Sequence, residues 1–493
     1  MPPDQEFHSG MNDSPNNLLQ LPKGWAWTTI AQICDLINGR AFKPKDWKTQ
    51  GLPIVRIQNL NKADADFNYC DFKIDEKYYI DTGQLLFAWS GTPETSFGAH
   101  IWKRGRAVLN QHIFKVEINE KCLDKIFLMY LFNNNVSEYV KKAHGTAGLA
   151  HITKGKFDSS YVAISPLPEQ QRIVAKIEEL FSRLDAGVAA LKQTKILLKR
   201  YRQSVLKAAV EGKLTEKWRK EHGDRIESAS VLLEKIVSRQ DAKGAKKRTM
   251  PPIDTSNLPA IPDSWVWANW GMILENSDNA FKRGPFGSSL TKSIFVKSGY
   301  KVYEQYCAIN DDCSFGRYFI TPEKFEEMKG FEVRAGDYLM SCSGVTLGRI
   351  TRVPEKYEKG IINQALLRIR INERIIGHKY YLYLFRSTFF QKFLFDNSTG
   401  TAIPNVKGVK ELKAIPIPLP PLPEQQQIVL EVKRRLSVAD ELEKTVETSL
   451  KQAERLRQST LKRAFEGKLV QQDPNDPPAI ELLERIKAEK GKD

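Results

Sequence analysis

PLPEQQ at Pro166–Gln171 opens a block of 49 residues that closes with RYRQSVLKAAVEGKL at Arg200–Leu214. The block returns at a constant offset of 255, as PLPEQQ at Pro421–Gln426 and RLRQSTLKRAFEGKL at Arg455–Leu469, with 21 identical positions and no gap. A match anchored at both ends marks a duplicated chain. Each block starts among prolines and then runs about forty residues without one, the pattern of a long helix with proline near its first turn. At ~1.5 Å per residue such a helix is roughly 60 Å long.

In the first copy Ile173, Ile177, Leu180, Leu184, Leu191, Leu198, Tyr201 and Val205 recur 3, 4 or 7 apart, the spacing of a coiled-coil seam, with Gly187 and Thr194 weakening its middle. The second copy keeps Ile428, Val432, Ala439, Leu442, Val446, Ala453 and Leu456 but puts Arg435 and Ser449 on the stripe. Two helices of equal length in one chain, each beside a globular unit, most simply pack antiparallel and act as a ruler between the units. The alternative, that each helix packs only on its own domain as an amphipathic surface element, leaves forty residues outrunning a small domain.

Weaker echoes extend the repeat. Trp25-Ala-Trp27 matches Trp265-Val-Trp267, Asn110-Gln111 matches Asn363-Gln364, and Gly145-Thr-Ala147 matches Gly400-Thr-Ala402, at offsets of 240, 253 and 255. An apolar helical segment follows each block, at Ala229–Ile236 and Ala479–Ile486. The expected organisation is a globular domain over 18–165, a central helical region with linker over 166–257, a second globular domain over 258–420 and a C-terminal helical region over 421–493. Short β-like runs such as Leu85–Trp89 and Ala107–Leu109, with helices such as Lys125–Val140, make the globular parts mixed α/β (α+β). Gln240–Pro262 reads as a polar linker with a basic cluster.

A length of 493 residues implies several domains, and 41% hydrophobic with 27% charged residues is ordinary for a folded protein. Lys and Arg number 75 against 59 Asp and Glu, a formal charge of +16, which favours a polyanionic partner through counterion release from phosphates. Cys34, Cys70, Cys122, Cys307, Cys313 and Cys342 form no CxxC pair and the seven histidines no HxxxH, so neither a zinc site nor a disulfide framework is signalled. The polar start and the short apolar runs argue against export and against a membrane span, so a cytoplasmic location is expected.

Base edges are read by Arg, Lys, Asn, Gln, Ser and Thr on loops where glycine lets the backbone approach. The first domain offers Arg40, Lys43, Lys45, Arg56, Gln58, Asn59, Ser90, Thr92, His112, His151, Thr153 and Lys154. The second offers Lys282, Arg283, Ser288, Ser289, Gln305, Ser343, Arg349, Asn405 and Lys407. Each is also ordinary content for a surface turn. The repeated Asn-Gln and Gly-Thr-Ala elements suit a shared framework better than readout, because heads reading different sequences should differ at base contacts.

No catalytic site is expected. An adenine methyltransferase needs a (D/N)PP(Y/F) strand end and a Gly-rich loop, and only Asp476-Pro-Pro-Ala479 approaches the first, with alanine for the aromatic. The GxxxxGK(S/T) phosphate loop of a nucleotide motor is missing. A metal-dependent nuclease would need clustered carboxylates with a lysine, and Pro262-Asp263 sits where the first copy has Pro22-Lys23.

PLPEQQ followed by a long helix ending in EGKL, twice, together with (L/I)PxxWxW at Leu21–Trp27 and Ile261–Trp267, resembles the specificity (S) subunit of type I restriction-modification enzymes over nearly the whole chain. The resemblance implies two target-recognition domains, each reading half of a bipartite double-stranded DNA site, with an antiparallel coiled coil setting the unread spacer. It implies as partners two modification subunits bound around the coil, and restriction subunits. S-adenosylmethionine, ATP and Mg2+ would be used in those partners and no cofactor in this chain, in a bacterial or archaeal cytoplasm. The competing expectations are a coiled-coil scaffold that binds DNA without regard to sequence and an independent enzyme with an unfamiliar site.

Overall fold

The computed structural model describes residues 20–62, 64–92, 96–143, 150–241, 252–285, 287–343, 346–395 and 406–490. Contacts divide the chain into unit 1, residues 1–192 with 447–493, and unit 2, residues 193–446. The borders fall inside the two long helices, Leu167–Val210 and Leu422–Phe465, each 44 residues. Each unit therefore holds one globular part and one portion of each helix.

The globular parts share one topology. In unit 1, Ala26–Thr29 pairs antiparallel with Tyr161–Ile164, closing the ends of the globular chain on each other. One four-stranded sheet runs Cys34–Asn38, Ile113–Ile118, Leu85–Ala88, Gly98–Ile101, and a second runs Asn68–Cys70, Leu52–Val55, Ala107–Leu109, Tyr79–Ile80. Unit 2 repeats this with Val266–Asn269 on Pro416–Leu419, then Phe281–Arg283, Leu366–Ile369, Tyr338–Ser341, Ile350–Arg352, then Phe319–Ile320, Tyr300–Tyr303, Gly360–Ile362, Glu332–Val333. Each second sheet has one parallel pair among antiparallel ones. The inner strands Leu85–Ala88 and Tyr338–Ser341 are buried on both faces, which is why they read as unbroken apolar runs rather than alternating ones. The expected helix over Lys125–Val140 is two, Lys125–Asn134 and Val136–Lys142, broken at Asn135.

The repeated motifs explain one another. Within PLPEQQ, Gln170 accepts from the Asp124 amide at 2.9 Å and donates to the Ser165 carbonyl at 2.8 Å. Gln425 accepts from the Gly377 amide at 2.7 Å and donates to the Ile375 and Pro420 carbonyls. The preceding glutamate takes the WxW indole: Trp25 Nε1 donates to Glu169 at 3.1 Å and Trp265 Nε1 to Glu424 at 2.9 Å. The EGKL glycines have φ of +71° at Gly212 and +66° at Gly467, the left-handed geometry that ends a helix. A Cβ on Gly212 would lie 2.5 Å from Pro262, and one on Gly467 2.4 Å from Pro22. In each unit the start of one long helix and the end of the other thus meet at the same Pro-x-x-Trp-x-Trp segment.

That meeting makes the helix pairing antiparallel inside each unit. In unit 1 Arg457 bonds Asp185 and lies 4.1 Å over the Phe181 ring; in unit 2 Arg202 bonds Asp440 at 2.7 Å and Glu443 at 2.8 Å. Arg202 and Arg457, like Asp185 and Asp440, are 255 apart, so one ion pair is made twice. The heptad reading needs a correction. Ile173, Ile177, Leu198, Val205, Ile428, Val432, Ala439 and Val446 are buried, but Tyr201, Leu442 and Leu456 are 41%, 49% and 55% exposed. A straight helix drifts about 20° per heptad from a strict seven-residue repeat, and the drift brings Arg202 and Arg457 to the partner helix in place of Tyr201 and Leu456. The trailing helices complete the cores: Ala479, Leu482 and Ile486 pack with Ile30 and Ile33 in unit 1, and Ala229 and Leu233 with Trp265 and Ile428 in unit 2.

Candidate nucleic-acid interface

Both units build the same loop framework from backbone hydrogen bonds. In unit 1 the Asn110 amide donates to the Val55 carbonyl at 3.0 Å, the Gly39 amide to Ile113 at 3.1 Å and the Ile113 amide to Asn110 at 3.2 Å. In unit 2 the Asn363 amide donates to Tyr303 at 3.0 Å, the Gly284 amide to Leu366 at 2.9 Å and the Leu366 amide to Asn363 at 3.2 Å. A Cβ on Gly39 would stand 2.1 Å from the Asn110 carbonyl oxygen and one on Gly284 1.8 Å from that of Asn363, so both positions require glycine. The Asn-Gln pairs are framework. The side chains arranged around them differ.

In unit 1 the framework gathers Ser90, His112 and His151 around Trp89. Ser90 Oγ is 2.6 Å from His151 Nδ1, and the Trp89 ring lies 5.3 Å from His112 and 6.3 Å from His151. The strand pairing of Ala150–His151 with Ser90–Gly91 holds them there. Burial, followed by the nearby His151, lowers the His112 pKa. Arg40, bridged to Asn110, stacks over Phe42 and Phe72 at 5.6 and 4.9 Å. Lys43 and Lys45 are exposed at the turn Pro44–Asp46, and Arg56 lies 5.3 Å over the exposed Trp47. Gln58, Thr92, Thr153 and Lys154 are exposed, Thr153 capping the helix Lys154–Asp158.

Asn59 departs from the expected readout role. It is 1% exposed, its Oδ1 accepts from the Arg56 amide and its Nδ2 donates to the Ala65 and Asp66 carbonyls, so it holds the turn that presents Arg56.

In unit 2 Gln305 donates to the Ser343 carbonyl and lines a cleft of about 510 Å³ whose walls include Glu304, Tyr306, Phe315, Arg317 and Ala365. Lys282 sits 5.1 Å over Phe331 and Arg283 is half-buried beside it. Arg349 is exposed, Lys407 half-buried, and Ser288 and Ser289 lie in the turn Gly287–Leu290. Asn405 and both Gly-Thr-Ala elements lie outside the described residues.

Trp89, Trp47, Glu304, Tyr306 and Arg317 escaped the sequence reading as individual candidates. The signal for three was adjacency: Trp89 precedes Ser90, and Glu304 and Tyr306 flank Gln305. Arranged so, the loops present donors, acceptors and aromatic faces on a fixed backbone, the means by which a protein reads base edges. Among the described residues no group of three or more His, Cys, Asp or Glu is placed to hold a metal ion, and no helix is long and apolar enough to cross a membrane.

The family model for the type I restriction modification DNA specificity domain matches residues 22–196 and 287–452. The chain is 28% identical over 488 residues to the type I restriction enzyme EcoBI specificity subunit of Escherichia coli, covering 96% of this chain and 94% of that protein. It is 26% identical over 469 residues to the EcoDI specificity subunit of the same species, covering 91% and 96%. The fold is similar to that of the HsdS subunit from Thermoanaerobacter tengcongensis, with a TM-score of 0.52 at 18% identity over 92% of this chain and 99% of that one. The doubled framework and the doubled family match agree, and the chain belongs to the type I restriction modification DNA specificity family.

Proposed function

We propose that the chain is the sequence-choosing, non-catalytic subunit of a type I restriction-modification complex, with each globular unit reading one half of a bipartite duplex site. The observation that carries this is one loop framework built twice around different side chains, Trp89, His112 and His151 in unit 1 against Cys342, Ala365 and Val406 at the matching places in unit 2. Two heads with the same sheet order and different rims suit two different half-sites. Arg40, Lys43, Lys45, Arg56, Ser90, His112 and His151 are the residues proposed to face DNA in unit 1, and Lys282, Gln305, Ser343, Arg349 and Lys407 in unit 2. The lysines set register on phosphates, the others read bases.

In this reading the paired helices set the unread spacer and bind two modification subunits, with restriction subunits joining them. Adenine methylation with S-adenosylmethionine and ATP- and Mg2+-dependent translocation and cleavage belong to those partners, in a cytoplasm. Co-expression with the modification subunit followed by mapping of methylated adenines at single-base resolution tests it. The expected result is one motif of two fixed blocks around a constant gap, of which exchange of residues 18–165 for another member's domain changes one block. Methylation scattered over unrelated adenines would instead support a scaffold that binds DNA without regard to sequence.

A further inference from the structure

The geometry points to Glu304 and Arg317 as a base-reading pair in unit 2, taking a base that presents an amino donor beside an acceptor, as adenine does with N6 and N7. This rests on the DNA-reading function proposed above. The framework makes Glu304 the counterpart of Arg56: each follows the residue whose carbonyl accepts the Asn-Gln amide, Tyr303 or Val55, and each precedes a short helix, Gln305–Asn310 or Ile57–Asn61. The same backbone position thus carries a cation in one head and a carboxylate in the other. Where Arg56 rests on Trp47 with donors only, Glu304 offers acceptors.

Arg317 Nη2 donates to Glu304 Oε1 at 2.9 Å, and Arg317 is 59% exposed against 13% for Glu304. The second oxygen, Oε2, is buried with no hydrogen-bond partner among the described residues. A buried carboxylate oxygen without a donor is costly, and a base amino group would satisfy it once Arg317 turns to the neighbouring ring nitrogen. The cleft has room for this because Ala365 stands where unit 1 has His112. Tyr306, 43% exposed, and Phe315, with ring centroids 4.2 Å apart and planes tilted by 30°, supply an aromatic wall.

The test is the methylation motif of the complete complex carrying Glu304→Ala, Glu304→Gln or Arg317→Ala, with the block read by unit 2 assigned by exchanging residues 18–165. Glu304→Ala and Arg317→Ala are expected to relax the same single position of that block, each by about fivefold or more in selectivity, the discrimination of one bidentate contact. The other block stays as in wild type. Glu304→Gln is expected to keep the choice, since an amide pairs with adenine N6 and N7, and its loss would assign the position to cytosine, whose major-groove edge has no acceptor for Arg317, and overturn the pair. Should Glu304→Ala fail to assemble, Arg317→Ala on its exposed side chain decides. Full selectivity at every position in Arg317→Ala overturns the inference while the wild-type bipartite motif stands. A wild type with no bipartite motif overturns the DNA-reading function itself.

Discussion

Unit 1 and unit 2 fold the same framework around interiors that differ at matching places. At the centre of unit 1 uncharged rings stack: Phe87 on Phe157 at 4.2 Å, Phe114 on Phe157 at 6.1 Å and Trp89 on Phe114 at 5.5 Å. The matching places in unit 2 hold Met340, Leu412, Leu367 and Cys342. Beside these, the same strands of unit 2 also bury charges. Arg370 grips Asp337 through two bonds of 2.6 and 3.0 Å, and Arg368, 1% exposed, donates to the carbonyls of Glu332, Asn279 and Gly330. Burial, then the Arg370 charge, lowers the Arg368 pKa to about 10. Unit 1 has Gln84 at the Asp337 place, donating to the Val116 carbonyl at 2.8 Å, and a partly exposed pair, Lys115 with Glu117, at the places of Arg368 and Arg370. The difference teaches that the shared backbone pairing and its two required glycines leave the filling free to differ.

The sharpest way to break the comparison is Asp337→Ala. It leaves Arg370 buried without its counterion and is expected to destabilise unit 2 by about 3–5 kcal/mol, whereas Gln84→Ala should cost unit 1 about 1 kcal/mol. Denaturant unfolding followed by hydrogen exchange checks both, and equal losses would mean the buried pair is not what distinguishes the interiors. Phe157→Leu gives unit 1 the side chain of unit 2 without the surroundings that fit it. The ring stack then gapes, and a loss of about 1–2 kcal/mol is expected in thermal unfolding, with no change in the unit 2 transition.

Gly187→Ala sharpens the helix comparison, because the second copy has Leu442 there and nothing lies within 4 Å of an added Cβ. It is expected to stabilise by about 0.5–1 kcal/mol, measured as a higher midpoint in urea. The smallest effect is expected from pH. Because the His112 pKa lies below the usual 6.5 in the fold, the folded state binds fewer protons than the unfolded one as pH drops through that range. Stability of unit 1 is therefore lost toward acid, and His112→Gln should narrow its gap to wild type as pH falls from 7 to 5. A pH-independent gap would show that the ring is not desolvated. The matching place in unit 2 is Ala365, which cannot titrate.

Much of this was legible in the chain itself. The 49-residue repeat, the proline-led helices and the (L/I)PxxWxW segments are local patterns, and helical period and capping chemistry act within a few residues. The repeated backbone at the Asn-Gln pairs was legible for the same reason: repetition of a backbone element needs no knowledge of its partners. The readout residues were less legible. Asn59 and Arg56 stand three apart in the sequence, yet one is sealed in a turn and the other lays a half-buried guanidinium over Trp47, and only the turn decides which.

The sequence alone determined that this protein is a duplicated α/β chain with two long helices and a basic surface, because composition and periodicity survive without contacts. Tertiary structure alone decided that Gly467 closes on Pro22 and Gly212 on Pro262, that the seam turns from Tyr201 to Arg202, and that Glu304 faces Arg317 over a cleft floored at Ala365. The physical reason is that these depend on close approach and desolvation between segments far apart in the chain, and no local period records which distant side chain removes the water.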